Sequence, residues 1–411
     1  MLLIKNAIII TQNKMRQIIK NGAILVRAEK IADIGPTKKL EKKYVKTVKE
    51  VINGKNKVVL PGLINAHTHA AMTLLRGYAD DMPLKEWLTK KIWPAEAKLK
   101  VNDNYRGSKI ACQEMLASGT TAFNDMYWYQ IGEIRAAKEI GLRHFAGILV
   151  IDTGLVNFGP AAIEKIYRKL KCQATQKIQV TLAPHSIYAV SKETLIWCKN
   201  FADKNNLLLH IHLSETEKEV KDCLRQQGCR PVEYLEKIGF LGHNVIVAHA
   251  CWLNDKEIKI LTKRGVSVVH CPTSNLKLAS GVMPFSKLIE AGVNVCLGTD
   301  GAASNNSLDM FWEMKMAALI HKWNEKNPEA ANAQTILDLA TINGAKSLKM
   351  EKEIGSLEVD KKADLIIINF DQPHLKPCFN PISHLIYAAK GADVETVIIG
   401  GQVLLKNQKF L

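Results

Sequence analysis

Two histidines one residue apart close the apolar run Val58-Val59-Leu60-Pro61-Gly62-Leu63-Ile64-Asn65-Ala66-His67-Thr68-His69. Residues i and i+2 of a strand point to one face. His67 and His69 can therefore aim both imidazoles at one point, which is how a strand end offers two nitrogens to a metal. Such a pair also arises by chance on a surface strand, so the idea depends on ligands supplied elsewhere. A second pair, His210-Ile211-His212, lies near the end of another apolar run and precedes Ser214-Glu215. His212 is nearer the strand end and is the better ligand, while His210 reads as a core or supporting residue. His249 ends the run VIVAH, and Asp300 sits in Gly298-Thr299-Asp300-Gly301 after another apolar stretch. An aspartate between glycines is often a turn former; at this strand end we weight it as a ligand. Three imidazoles and one carboxylate make a zinc or ferrous site with a position left for water. Such a metal lowers the pKa of water from about 15.7 to about 7. Asp300 can take that water's proton and Glu215 can carry it to a leaving group, which is general acid/base chemistry. Glu215 equally suits a helix N-terminus stabilised by the helix dipole.

These residues need elements that bring them together. Apolar strand-like runs recur at 58–69, 120–125, 142–150, 178–185, 207–213, 245–249, 266–271 and 293–300, with helix-like segments between them. Near-continuous apolar strands alternating with helices imply a parallel sheet. Eight such units over this length imply an α/β fold of the (β/α)8 TIM-barrel class. A doubly wound open sheet is the alternative, but no GxGxxG follows a strand. His67, His69, His185, His212, His249, His270 and Asp300 all fall at or near the C-terminal ends of their runs. Barrel enzymes build active sites on that rim. Both chain ends read as short strands and turns: 2–11, 22–27, 30–34, 363–370 and 394–405 with a Gly400-Gly401 turn. The expectation is a small β-sandwich domain from residues 1–57 and 355–411 around a catalytic barrel at 58–354.

Composition excludes several classes. The chain has 411 residues, 47% hydrophobic and 23% charged, as in ordinary globular proteins. The N-terminus has no basic n-region or small-residue cleavage site, and no apolar run approaches the ~18 residues of a membrane span. Nine scattered cysteines without a CxxC pair argue against a disulfide framework or cysteine-rich zinc site and for a reducing cytoplasm. The net charge of +16 raises the question of nucleic acid. Its densest run, Lys38 to Lys49, includes apolar residues and reads as a solvated helix face rather than a binding surface.

The segments PGLINAHTHAAMTLLRGYADD, KEWLTKKIWPAE, LAPHSIYAVS, HIHLSETEKEV, VAHACWL, HCPTSNLKLASGVMP and GTDGAASNNSLDM span most of the chain. In them it resembles the amidohydrolase superfamily, and within it the 5'-methylthioadenosine/S-adenosylhomocysteine deaminase branch. The resemblance implies His67, His69, His212 and Asp300 as metal ligands, Glu215 as proton shuttle, and His249 as the residue that stabilises the developing charge. It implies Glu96 as the ribose-diol partner and His185 as a substrate contact. Binuclear members carry a carbamylated lysine at the end of strand four; here that end reads Ala183-Pro184-His185, which implies one divalent metal, zinc or iron(II), per subunit. The expected substrate is a small adenine nucleoside: 5'-methylthioadenosine, S-adenosylhomocysteine, 5'-deoxyadenosine or adenosine. The alternatives are a guanine, cytosine or triazine aminohydrolase, a chlorohydrolase, or a non-catalytic homologue. Some homologues meet a homocysteine carboxylate with arginines after strand three. Here Ile148 stands at the matching place and the loop Thr153 to Pro160 has no arginine, which disfavours S-adenosylhomocysteine. No nucleic-acid or membrane partner is expected, and homologues suggest a homo-oligomer. Trp87 and Trp93 fit either core packing or the pocket wall.

Overall fold

The computed structural model describes residues 1–44, 46–153 and 159–411. Eight parallel strands form one sheet in sequence order: Leu63–Thr68, Thr120–Tyr127, Arg143–Val150, Ile178–Pro184, Leu209–Leu213, Val245–His249, Ser267–His270 and Asn294–Leu297. The sheet curls into a nearly closed barrel. Beyond the eighth strand, Asp300 N–H donates to His67 O at 3.0 Å, and Thr299 N–H donates to Asn65 Oδ1 at 3.0 Å.

The strands are apolar on both faces because both faces are buried. Phe145, Ile246, Val269 and Cys296 pack with one another inside the barrel. Their neighbours Ala146, Val247, Val268 and Val295 pack in the outer layer with the helices. This two-residue alternation decides which polar residues can reach the rim interior. His270 falls on the outer parity and its Nε2 stands 2.9 Å from His321 Nε2 on the helix Met310–Asn324. Ile148 likewise packs in the outer layer, whereas Leu149 and Ile151 face the rim cleft.

The chain ends build a separate nine-stranded sheet. The N-terminal strand Leu2–Ile10 pairs with Ile18–Arg27, Glu50–Asn53 and Lys57–Pro61, and the last of these pairs antiparallel with Leu365–Asn369. The run 58–69, read as one barrel strand, is thus two strands in two sheets. Gly62 is the joint: a Cβ there would lie 2.1 Å from Thr121 Oγ1, so only glycine lets the chain pass this close to the second barrel strand. The lysine-rich segment forms the helix Thr37–Tyr44, with Leu40 buried against Leu3, Ala23 and Leu25 and its lysines exposed. Val45 of that run lies outside the described residues. No helix is long and apolar enough to cross a membrane among the described residues.

Barrel and end sheet are joined by a buried ion pair. Arg143, at the start of the third strand, donates from Nε to Asp364 Oδ2 at 2.5 Å and from NH2 to Oδ1 at 3.0 Å. Both side chains are 3% exposed or less. Removing one partner strands a buried charge, which costs about 3–5 kcal/mol, whereas replacing both by apolar groups is often neutral. Arg143→Met is therefore expected to lower the denaturant midpoint strongly. The double variant with Asp364→Leu is expected to recover most of the loss, as equilibrium unfolding will show.

Candidate active site

The rim gathers the histidines where the sequence placed them. Asp300 Oδ1 stands 3.3 Å from His67 Nε2 and 3.2 Å from His69 Nε2. His212 Nε2 is 3.3 Å from His69 Nε2. Each imidazole is anchored through its other nitrogen. His69 Nδ1 donates to Met126 O at 2.5 Å and His212 Nδ1 donates to His185 O at 2.8 Å. His67 Nδ1 shares a proton with His210 Nε2 across 2.9 Å. This arrangement turns three Nε2 atoms towards one point and leaves their lone pairs for a cation. His67 Nε2 is buried without a hydrogen-bond partner, which a buried polar atom seldom is. The ligating atoms of His67, His212, His249 and Asp300 lie within 4.8 Å of one another. The imidazoles of His67, His69 and His212 and the Asp300 carboxylate are the donor set of a divalent zinc-type site, so these residues fit a metal.

Asp300 is held on its far side. Its Oδ2 accepts from Ser274 Oγ at 2.6 Å and Ser304 Oγ at 2.8 Å. Burial opposes its charge, but the imidazoles of His67 and His69 beside it outweigh this and hold the carboxyl well below its usual range. Burial pulls His67 down to about 4. It also acts against a proton on His69, yet the Asp300 hydrogen bond prevails and raises that group to about 9. A proton and a cation thus compete for His69 Nε2, and metal uptake releases protons here.

Glu215 and His249 face the same centre. His249 Nε2 is 3.9 Å from Glu215 Oε2. Asn275 Nδ2 lies 3.0 Å from His249 Nδ1; in this amide orientation it donates, which puts the histidine's proton on Nε2. His249 is thereby a donor towards the centre rather than a lone pair. Glu215 is pushed up by burial, and Ser280 Oγ donates to its Oε1 at 3.3 Å. Its backbone is clamped by Glu219, whose carboxylate accepts from Ser214 N–H at 2.9 Å and Glu215 N–H at 2.8 Å. Ser214, His249 and Asp300 adopt φ of 50°, 74° and 60°, a region that costs a non-glycine residue about 1–3 kcal/mol. The chain turns sharply at these strand ends, and the turn aims the side chains inward.

A cleft opens above the centre, walled by Trp87, Trp93, Glu96, His185, Tyr188 and Glu215. Glu96 lines it at 8% exposure; Trp128 Nε1 donates to its Oε2 at 3.3 Å, and its Oε1 has no close hydrogen-bond partner, with the Tyr127 hydroxyl beside the carboxylate. Burial raises the pKa of Glu96. Trp87 and Trp93 both line the cleft, as does His185, which burial keeps neutral down to about pH 3. Trp128, Tyr188, Ser274, Ser304, Asn275 and Glu219 escaped the sequence reading. Several stand inside the segments that carried the resemblance, but single serines and an outlying tryptophan have no spacing signal.

Residues 58–404 match the amidohydrolase family. The chain belongs to that family. Among amidohydrolase relatives, the 5'-deoxyadenosine deaminase of Methanosarcina acetivorans is 46% identical, covering 100% of this chain and 94% of the relative. The 5-methylthioadenosine/S-adenosylhomocysteine deaminase of Thermodesulfovibrio yellowstonii is 44% identical, covering 97% and 92%. Among solved structures, a Xanthomonas campestris adenosine deaminase with bound zinc superposes with a TM-score of 0.96 at 35% identity, covering 100% of this chain and 94% of that one.

His210 sits behind His67 and touches no part of the cleft wall. His210→Phe keeps the ring volume and removes the nitrogen partner. Its expected effect is a loss of about 10–100-fold in metal affinity, measured by chelator competition, with the fold intact by circular dichroism.

Proposed function

We propose that this amidohydrolase is a hydrolytic deaminase of adenine nucleosides that converts substrate and water to the inosine analogue and ammonia. The observation that carries this reading is Glu96: a buried carboxylate, with one oxygen lacking a close hydrogen-bond partner, on the wall of the same cleft as Glu215 and the imidazole–carboxylate cradle. A carboxylate accepts two vicinal hydroxyls in short, charge-assisted hydrogen bonds. A ribose supplies such a pair, whereas a free base or a triazine does not.

His67, His69, His212 and Asp300 would hold one divalent metal, zinc in keeping with the Xanthomonas relative. When bound, it supplies Lewis-acid activation of water. Water adds to C6 of the purine. The Asp300 carboxylate accepts the water's proton, and its ionised state suits that task. Glu215 stays protonated to higher pH than an exposed glutamate; it gives its proton to N1, Asp300 passes the water's proton to the amino group, which leaves as ammonia, and the C6 hydroxyl proton returns to Glu215. His249 Nε2–H donates to the charge that develops at the attacked centre. Glu96 holds the ribose, and His185 contacts the nucleoside.

The 5' group is the remaining choice. No lysine or arginine lines the described cleft, and Leu149 and Ile151 border it. Of the loop Thr153 to Pro160, residues 154–158 lie outside the described residues, and the sequence gives them no arginine. This favours a hydrogen, hydroxyl or methylthio group over a homocysteine tail. We read residues 58–354 as the catalytic unit and 1–57 and 355–411 as its β unit, with the strand Lys57–Pro61 crossing that boundary into the end sheet. A cytoplasmic setting fits nine cysteines that are all unpaired. Trp312, Leu319 and Trp323, exposed along one helix, suit a homo-oligomer.

The metal-loaded enzyme is expected to release ammonia from 5'-deoxyadenosine, 5'-methylthioadenosine and adenosine, and to do so poorly from S-adenosylhomocysteine, guanine and triazines. No release from any adenine nucleoside would sink the reading. Glu215→Gln is expected to cost about 10²–10⁴-fold in kcat. Loss of a hydrogen bond to a charged group costs about 1.5–3 kcal/mol, so Glu96→Ala should lower kcat/KM at least about tenfold. Full nucleoside turnover by that variant would point to a base or triazine substrate instead.

A further inference from the structure

We propose that Asp125 is a positioning residue for His69, acting through the backbone on both sides of that imidazole. The inference rests on the reading of His69 as a metal ligand. Asp125 lies on the second barrel strand, fully buried and not itself on the cleft wall, which the next residue, Met126, reaches. Its Oδ1 accepts from Ala70 N–H at 3.0 Å and from Met126 N–H at 2.9 Å. Ala70 follows His69 in the chain, and Met126 O is the acceptor for His69 Nδ1. One carboxylate oxygen therefore ties together the main chain that carries the imidazole and the carbonyl that fixes its rotation. The two segments belong to neighbouring strands, and the register of their pairing shifts between Asn65 and Thr68. Regular ladder bonds do not lock His69 there, and Asp125 takes over that task.

The rest of its surroundings fits this part. Asp125, Glu133 and His144 form a buried cluster whose ligating atoms lie within 4.8 Å of one another. Glu133 comes from the helix Gln130–Ile140, where Asn104 Nδ2 donates to its Oε1 at 3.3 Å. Burial and the nearby Asp125 charge push Glu133 well above the usual carboxylate range. Asp125 Oδ2 has no close hydrogen-bond partner, so Oδ1 alone accepts the two backbone donors. His144 stands 3.7 Å from Glu133 Oε2, and its ring stacks on Phe123 at 4.4 Å between centroids. Burial holds it neutral down to about pH 3. With His144 neutral and Glu133 biased towards its acid form, the cluster backs the rim with less charge than two free carboxylates would carry.

The test is metal affinity by chelator competition, together with the visible spectrum of the cobalt(II)-loaded protein. Asp125→Asn keeps the Oδ1 acceptor and should bind close to the parent, with the parent spectrum. Asp125→Ala removes it and should bind about 10–100-fold more weakly, with an altered spectrum. Asp125→Leu, which fills the volume, carries the same expectation if the alanine variant does not fold. His144→Phe, in the same cluster but touching neither backbone donor, should leave both readouts unchanged. The proposal is overturned if Asp125→Ala binds like the parent or if Asp125→Asn loses as much as Asp125→Ala. It is overturned if neither the alanine nor the leucine variant folds, because the residue then serves the fold. A second ion per chain that disappears in Glu133→Gln also overturns it, because the cluster would then be a ligand set. His69→Ala is the separate control: parent affinity there would remove the ligand assignment itself.

Discussion

One hydrogen bond does two jobs in this molecule. Asp300 N–H donates to His67 O across the seam between the eighth and first strands. It helps to close the barrel and sets a carboxylate beside two imidazoles more than half the chain away. The seam is narrow by design of sequence. A Cβ at Gly298 would lie 2.7 Å from His67 O, so the glycine before Thr299-Asp300 is there for close approach as much as for a turn. Asn65 and Thr299 add a reciprocal pair of bonds on the same seam, and Thr68 Oγ1 donates to Asp300 O. If the seam opened, Asp300 would leave the cradle, so closure of the fold and assembly of the site are one event.

What could be read from the sequence follows from what has a period. Eight apolar runs gave eight strands because doubly buried parallel strands have no polar face to interrupt them. His212 was separable from His210 by depth along one strand, and the structure puts His210 behind His67. Parity also explains why His270 stands at the rim yet outside the centre, since its side chain meets His321. The run 58–69 misled because nothing in its hydrophobicity marks Gly62 as a passage between sheets. The serines on Asp300, the amide on His249 and the glutamate under Glu215 were illegible for a different reason. Ser274 on Asp300 and Asn275 on His249 come from distant segments that only the folded chain brings together, while Ser304 and Glu219 act across four or five residues through turns that no spacing rule marks.

The strained backbone at Ser214, His249 and Asp300 belongs to the same logic. Left-handed φ values at three rim residues would cost the fold several kcal/mol if nothing opposed them. Each is held: Ser214 by Glu219, His249 by Asn275, and Asp300 by the seam and two serines. The effort is spent where side chains must point into the barrel mouth, and the rest of each strand runs in ordinary alternation. A rim built this way is rigid before any ligand arrives, which is what electrostatic preorganisation requires.

Two carboxyls in one dry cleft then diverge in their acidity. Both are buried, and burial alone would raise both. Asp300 is brought down by His67 and His69. Glu215 has only a distant imidazole and one long hydroxyl contact, so burial wins and it stays up. The first is held as an anion while the second keeps its proton to higher pH than an ordinary glutamate, and a hydrolytic deamination needs one of each: a base for the water and an acid for N1. The roles follow from neighbours rather than from residue type. A cation in the cradle would strengthen the split, since it would replace a proton on His69 with a fixed positive charge against Asp300 while Glu215, one imidazole further out, felt it less.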